Sequence, residues 1–205
     1  MTLAVTIDAM NDEQLEFLRR MLARFASVSA ATDATHHAES VLMFIRGKRC
    51  PWSRATLAGH LTASAWVLDR TGTHAALIHH RKLSRWLQPG GHIEDADVSW
   101  RAAAQREVTE ETGLAHFIAQ PADDELFDVD VHPIPARKDE PAHFHYDLRF
   151  LFVADVDATV DRTLMINADE AHDCRWFALV ALANDPTMEP SMRRMIELSL
   201  SRNLH

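Results

Sequence analysis

Glu107, Glu110 and Glu111 lie three and four residues apart, so on a helix they crowd one face. Carboxylates that close repel one another, and divalent cations between them remove the repulsion. Magnesium suits such a face, because it takes oxygen ligands and shares carboxylates with waters and substrate phosphates. Manganese accepts the same donors. Arg106, four residues before Glu110, is placed to orient it through a salt bridge. Upstream, Pro89-Gly90-Gly91 signals a turn. A solvated acidic helix face is the plainer account of a Glu-Glu pair, but it leaves the Gly-Gly turn, the Arg-Glu pair and Gly113-Leu114 unexplained.

The helix that must carry these groups is expected from about Val98 to Thr112. Asp97 is the candidate N-cap, its carboxylate accepting from the first free amides. Gly113 stands where a left-handed residue ends a helix. Trp100, Ala104 and Val108 recur four apart and form the stripe that packs on a sheet.

The stretch from Gly91 to Leu114 resembles the Nudix box: Gly, five residues, Glu, seven residues, then Arg-Glu-apolar-x-Glu-Glu-x-Gly-apolar. Its second half matches at Arg106, Glu107, Val108, Glu110, Glu111, Gly113 and Leu114. Its first half departs twice, with Asp97 in place of the usual Glu and eight residues rather than seven before Arg106. The extra residue is expected to lengthen the loop and leave the metal face intact. The chain is similar in pattern to a Nudix subgroup that shares this longer spacing and a His-x-His-x-Asp segment. Gly59-His60-Leu61-Thr62 resembles the first strand of such domains, and Arg175-Trp176-Phe177 their end.

The resemblance implies an α/β (α+β) fold, a mixed sheet sandwiched between helices, over roughly residues 55–185. It implies that the Gly91 carbonyl, Glu107 and Glu111 hold Mg2+ (or Mn2+), with Glu110 assisting. Asp97, Arg106 and Gly113 support that set. The reaction implied is hydrolysis of the diphosphate bond of a nucleoside diphosphate linked to another moiety: a nucleoside triphosphate, a dinucleotide or a nucleotide sugar. The general base is open among Glu107, Glu111 and a carboxylate on a neighbouring strand. The alternative is a nucleotide-binding or regulatory module on the same fold without turnover, and such modules usually lose box carboxylates that are present here. An isomerase on this fold needs a catalytic cysteine, and neither Cys50 nor Cys174 has a recognisable setting.

Alternation over 141–152 places His143, His145, Asp147 and Arg149 on one face of a strand and Phe144, Tyr146, Leu148 and Phe150 on the other. The apolar face is expected in the core; the polar face is either solvated or lines the site. His-x-His is able to offer two imidazoles to one metal, with Asp147 as a hard partner; an exposed polar face needs no ligand. Arg81, Lys82 and Arg85 precede the Gly-Gly turn and are candidates for substrate phosphates, or a solvated basic loop. His92 follows Gly91 and either touches the metal shell or packs. Residues 123–141 are the loop-rich region expected to discriminate substrates, and Trp86 is expected to lie near the cleft.

Leu15, Leu18, Leu22 and Phe25 predict a helix over 11–28, with Asn11 and Gln14 resembling a capping box. A small, polar loop is expected at 27–35 and a second helix at 38–46. These form an N-terminal helical extension (1–50) ahead of the Nudix hydrolase domain (51–205), with the box at about 91–114. Strands are expected at 60–69, 75–80, 125–131, 144–154 and 174–177, and helices at 178–184 and 189–203.

A formal net charge of −9 repels a polyanion, so a nucleic-acid duplex is disfavoured as partner, whereas a small phosphorylated substrate remains open through bound cations. No apolar run is long enough for a bilayer, no basic region precedes an apolar stretch, and two buried, unpaired cysteines suit a reducing compartment. The expected location is cytoplasmic, without a membrane partner, and a homodimer is possible.

Overall fold

The computed structural model describes residues 11–81, 83–118, 125–137, 140–161, 163–166 and 171–202. Two helices lead. Asn11 caps α1 (Asp12–Val28) by accepting from the amides of Glu13 and Gln14. The reverse bond of a capping box is not made, since the Gln14 amide group donates to the Val98 carbonyl at 3.4 Å. Helix α2 (Thr32–Ile45) begins earlier than its hydrophobic pattern suggests. The small residues of 27–35 are mostly helical, and Ser27 and Thr35 turn their hydroxyls onto the carbonyls of Arg24 and Ala31. Ala34 and Ala38 are buried, so small size there serves close packing.

The strands are β1 (Gly59–Leu68), β2 (His74–His80), β3 (Arg85–Leu87), β4 (Gly90–His92), β5 (Asp128–Ile134), β6 (His143–Val153) and β7 (Ala171–Ala178). Between them and after them come α3 (Trp100–Thr112), α4 (Leu179–Ala183) and α5 (Pro190–Ser201). The sheet runs β3-β2-β1-β6-β5, with β4 also on β1 and β7 also on β2. β1 and β6 are parallel over ten residues, and the other pairs are antiparallel. It is the mixed sheet the sequence predicts. All ten residues of β1 are buried, as a strand flanked on both sides and covered on both faces should be.

Alternation along β1 divides the interior in two. Leu61, Ala63, Ala65 and Val67 join Leu148, Phe150 and Phe152 under α1, α2 and α3. Trp66 and Leu68 face the other way and pack with Leu77 beneath α4 and α5. The leading helices therefore belong to the same core as the box helix. Trp100, the first residue of α3, donates its indole N–H to the Gln14 carbonyl at 3.2 Å. Phe144 stays on the apolar face of β6 but lies beyond the core, 45% exposed. Phe44 of α2 stacks on Tyr146, at 3.9 Å between ring centres, and the core ends there.

Candidate functional site

Ser99, not Asp97, caps α3, accepting from the Ala102 amide at 3.1 Å. Asp97 lies two positions before that cap, too far back for the role. Instead its two carboxylate oxygens receive Nε and Nη2 of Arg106, both at 3.1 Å, and one of them also takes the Glu94 amide. The extra residue thus leaves the Asp97–Arg106 contact in place. Arg106 also reaches Glu107 at 3.0 Å, Glu110 at 3.1 Å and the His92 carbonyl at 2.8 Å. Burial works against its charge, but Asp97 and Glu107 hold it firmly protonated. Gly113 ends the helix with φ of 72°.

Glu107 and Glu111 are buried, 7% and 3% exposed, while the Glu110 side chain is about half exposed. The Gly90 amide donates to Glu111 at 2.8 Å. A Cβ on Gly91 would lie 2.8 Å from the carboxylate carbon and both oxygens of Glu107. The Gly-Gly strand thus brings backbone against two buried carboxylates where a larger residue has no room. Two buried acids one helical turn apart, with Arg106 bonded to Glu107, form an all-oxygen donor set suited to a hard divalent cation.

On the face of the sheet toward α5, alternate residues of three paired strands converge: His60, Thr62 and Ser64 from β1, His145, Asp147 and Arg149 from β6, and Asp128, Asp130 and His132 from β5. Asp147 accepts from Thr62 at 3.0 Å, Ser64 at 2.8 Å, Arg149 at 2.9 Å and Gln88 at 3.4 Å. Arg149 also donates to Asp128 and Asp130, and Arg194 of α5 grips Asp128 through two nitrogens at 2.8 Å. Burial opposes charge on Asp130, but the His132 bond and Arg149 hold its carboxyl far below the usual range. His143 and His145 sit at the other end of this face with His60, His92 and His132.

The remaining predicted residues are scattered. Arg85 pairs with Glu189. Arg81 is exposed on the connection after β2, and Lys82 lies outside the described residues, as do parts of 123–141. Trp86 packs edge-on against Phe177, with Arg175 over its ring. Cys174 is buried, and burial, with Glu111 and Asp173 nearby, pushes its thiol up to about 12, so it is no nucleophile. Cys50 is exposed rather than buried, because it sits in the turn after α2; both thiols are free.

His60, His132, Asp128, Asp130 and Arg194 escaped the sequence reading. The strand residues carried a signal as two further alternations, His60-x-Thr62-x-Ser64 and Asp128-x-Asp130-x-His132, while Arg194 carried none. Only the strand pairing shows that all three alternating sets share one face.

The family model for the NUDIX domain matches residues 59–198. The chain belongs to the Nudix family. It is a pyrophosphohydrolase of a class that works with a divalent cation. A NUDIX-family hydrolase from Clostridium perfringens is similar in fold, with 22% identity and a TM-score of 0.51 over 69% of this chain and 95% of that one. The MutT NUDIX hydrolase from Burkholderia pseudomallei has 20% identity and a TM-score of 0.47, covering 68% of this chain and 97% of its own. The NUDIX domain of Shewanella oneidensis NrtR, solved with ADP ribose, has 16% identity and a TM-score of 0.47, with 77% and 95% covered. No curated protein matches the sequence. Among the described residues of this Nudix protein, no helix is long and apolar enough to cross a membrane.

Proposed function

We propose that this Nudix protein is a magnesium-dependent hydrolase of a nucleoside diphosphate linked to another moiety. The observation that carries the reading is the packing of Gly90 and Gly91 against the buried carboxylates of Glu107 and Glu111. The Gly91 carbonyl, Glu107 and Glu111 would hold the cation, with Glu110 assisting. When bound, magnesium neutralises the diphosphate and eases deprotonation of water. Arg106, held by Asp97, fixes Glu107 and Glu110 relative to each other. Glu107 and Glu111, the buried pair beside Gly90 and Gly91, are our candidates to take the proton of the attacking water. The water oxygen bonds to phosphorus, the anhydride P–O bond breaks, and the leaving phosphate departs with the bond's electrons.

Asp147 is a poorer base, since its four donors favour the carboxylate form and occupy its lone pairs. Arg149 acts through Asp147, because the same bonds commit its guanidinium. Arg81, Lys82 and Arg85 remain our candidates for the outer phosphates, and His143 and His145 for lining the cleft. The N-terminal helices (1–50) serve as an extension that buttresses the catalytic domain (51–205).

The test is release of phosphate or pyrophosphate from nucleoside triphosphates, dinucleotides and nucleotide sugars, with and without magnesium. Turnover should require the metal and fall in Glu111→Gln by at least the roughly 10²–10³-fold seen when one electrostatic group of an active site is removed. Folded protein that binds these nucleotides but turns over none of them would mark a binding module instead.

A further inference from the structure

A second cluster of ligand-type side chains lies apart from the box carboxylates. His60, His143 and His145 each turn a ring nitrogen into one space, and the three nitrogens lie within 4.8 Å of one another. His60 and His145 are paired in register on the parallel strands β1 and β6, and His143 stands two residues before His145 on the same face. Their ring centres are 4.7 to 5.1 Å apart.

Two observations distinguish this from histidines packed for bulk. First, His60 is 1% exposed, and neither of its ring nitrogens has a hydrogen-bond partner. A buried imidazole left in that state costs about 1–3 kcal/mol, and native structures rarely tolerate it without a reason. Second, the neighbouring ring is already oriented. Nδ1 of His143 lies 2.9 Å from the Pro141 carbonyl, which can only accept, so that nitrogen carries the proton. Nε2 of His143 then presents its lone pair to the shared space, 3.2 Å from Nε2 of His145. A backbone carbonyl holding the far nitrogen of a ligand histidine is the usual support in metal sites.

We infer that His60, His143 and His145 form a three-histidine site for a zinc-class divalent cation, separate from the oxygen-lined magnesium site. Tetrahedral zinc sets its nitrogen ligands about 3.3 Å apart, so small ring rotations close the present spacing. Burial, with the neighbouring imidazoles, holds His60 near 4 and His145 near 2, so both rings are neutral and able to ligate at neutral pH. Three protein ligands leave a fourth position, as in zinc sites that bind water or substrate. His92, with its ring 5.1 Å from that of His60, and Glu140, 3.9 Å from His143, stand beside it. Arg54, 3.9 Å from Glu140, is the opposing charge, and that pairing offsets it.

The experiment is zinc retention by the full chain after dialysis against excess magnesium, which fills the carboxylate site, with cobalt(II) absorption as the second readout. Wild type and Glu111→Gln should each keep a zinc ion and give the intense visible bands of tetrahedral cobalt. His143→Ala and His145→Gln, shown to be folded by thermal melts, should lose zinc affinity by more than the roughly 10–100-fold expected for an outer partner. Loss of zinc with Glu111→Gln but not with the histidine variants would place it at the box and overturn the site. So would a wild type that retains no zinc, or whose cobalt bands are weak and octahedral. The wild-type spectrum decides even if a histidine variant fails to fold, and it reads independently of whether any nucleotide is hydrolysed.

Discussion

At the scale of single residues, this Nudix site depends on where a side chain is missing. Glu107 keeps its position because nothing projects from Gly91, whose Cβ would sit 2.8 Å from three carboxylate atoms. Gly91→Ala should therefore displace Glu107 from the cation. We expect kcat to fall by roughly 10²-fold, in the range seen when active-site geometry slips by an ångström, with magnesium affinity weakened and the melting temperature nearly unchanged. Steady-state kinetics across a magnesium titration checks this; normal activity in the variant would show that Glu107 does not need its present position. The residues of this site were legible because they are local. Glu107, Glu110 and Glu111 declare themselves by spacing along one helix, and Arg106 by its four-residue step to Glu110. The role of Asp97 was less so, since it stands two residues before the cap and the loop folds it back onto Arg106.

At the scale of elements, the unanticipated feature is the tie between helix α5 and strand β5. Asp128 is fully buried and held from both sides, by Arg149 on β6 and Arg194 on α5. Arg194→Met removes one of two cations from a cluster of three buried carboxylates. The expected loss is about 3 kcal/mol, the lower part of the range for breaking a buried ion pair, because Arg149 remains. It should appear as a lower urea midpoint with an unchanged slope; a loss under about 1 kcal/mol would mean that the cluster behaves like surface charge. This tie had no local signature. Alternation along the strands shows that Asp128, Asp147 and Arg149 each sit on a polar face, yet only the register of β5, β6 and β1 shows that the faces are one. The helical starts at 32 rather than 38, and at 100 rather than 98, show the same limit, since hydrophobic period does not fix where a helix begins.

At the scale of the whole molecule, a face lined with neutral histidines makes stability depend on acidity. In the metal-free protein, burial holds His60 and His92 near 4 and His145 near 2, against 6.5 for a solvated ring. The unfolded chain therefore binds protons on these three residues before the folded chain does. Their contribution is complete above pH 6.5 and drains away as the pH falls from 6.5 toward 4 and below. Urea midpoints measured in chelator should hold steady from pH 8 to 7 and drop progressively from pH 6.5 to 4.5. A midpoint that stays level across that lower range would show the rings to be solvated.

The same face has a consequence for how the chain is made. Thr62 meets Asp147 across 85 residues, Asp128 meets Arg194 across 66, and the Trp66 indole bonds the Ser199 hydroxyl across 133. Contacts at such separations close late and slowly. During synthesis, a nascent chain that has already extruded the box helix still has Trp66 and Asp128 waiting for α5. Until residues 190–201 emerge, the sheet face around Trp66 and Leu68 lacks its cover and Asp128 lacks one of its two arginines, leaving the kind of apolar surface that chaperones hold. Ribosome pausing before α5 should accordingly prolong chaperone association, whereas pausing after it should not.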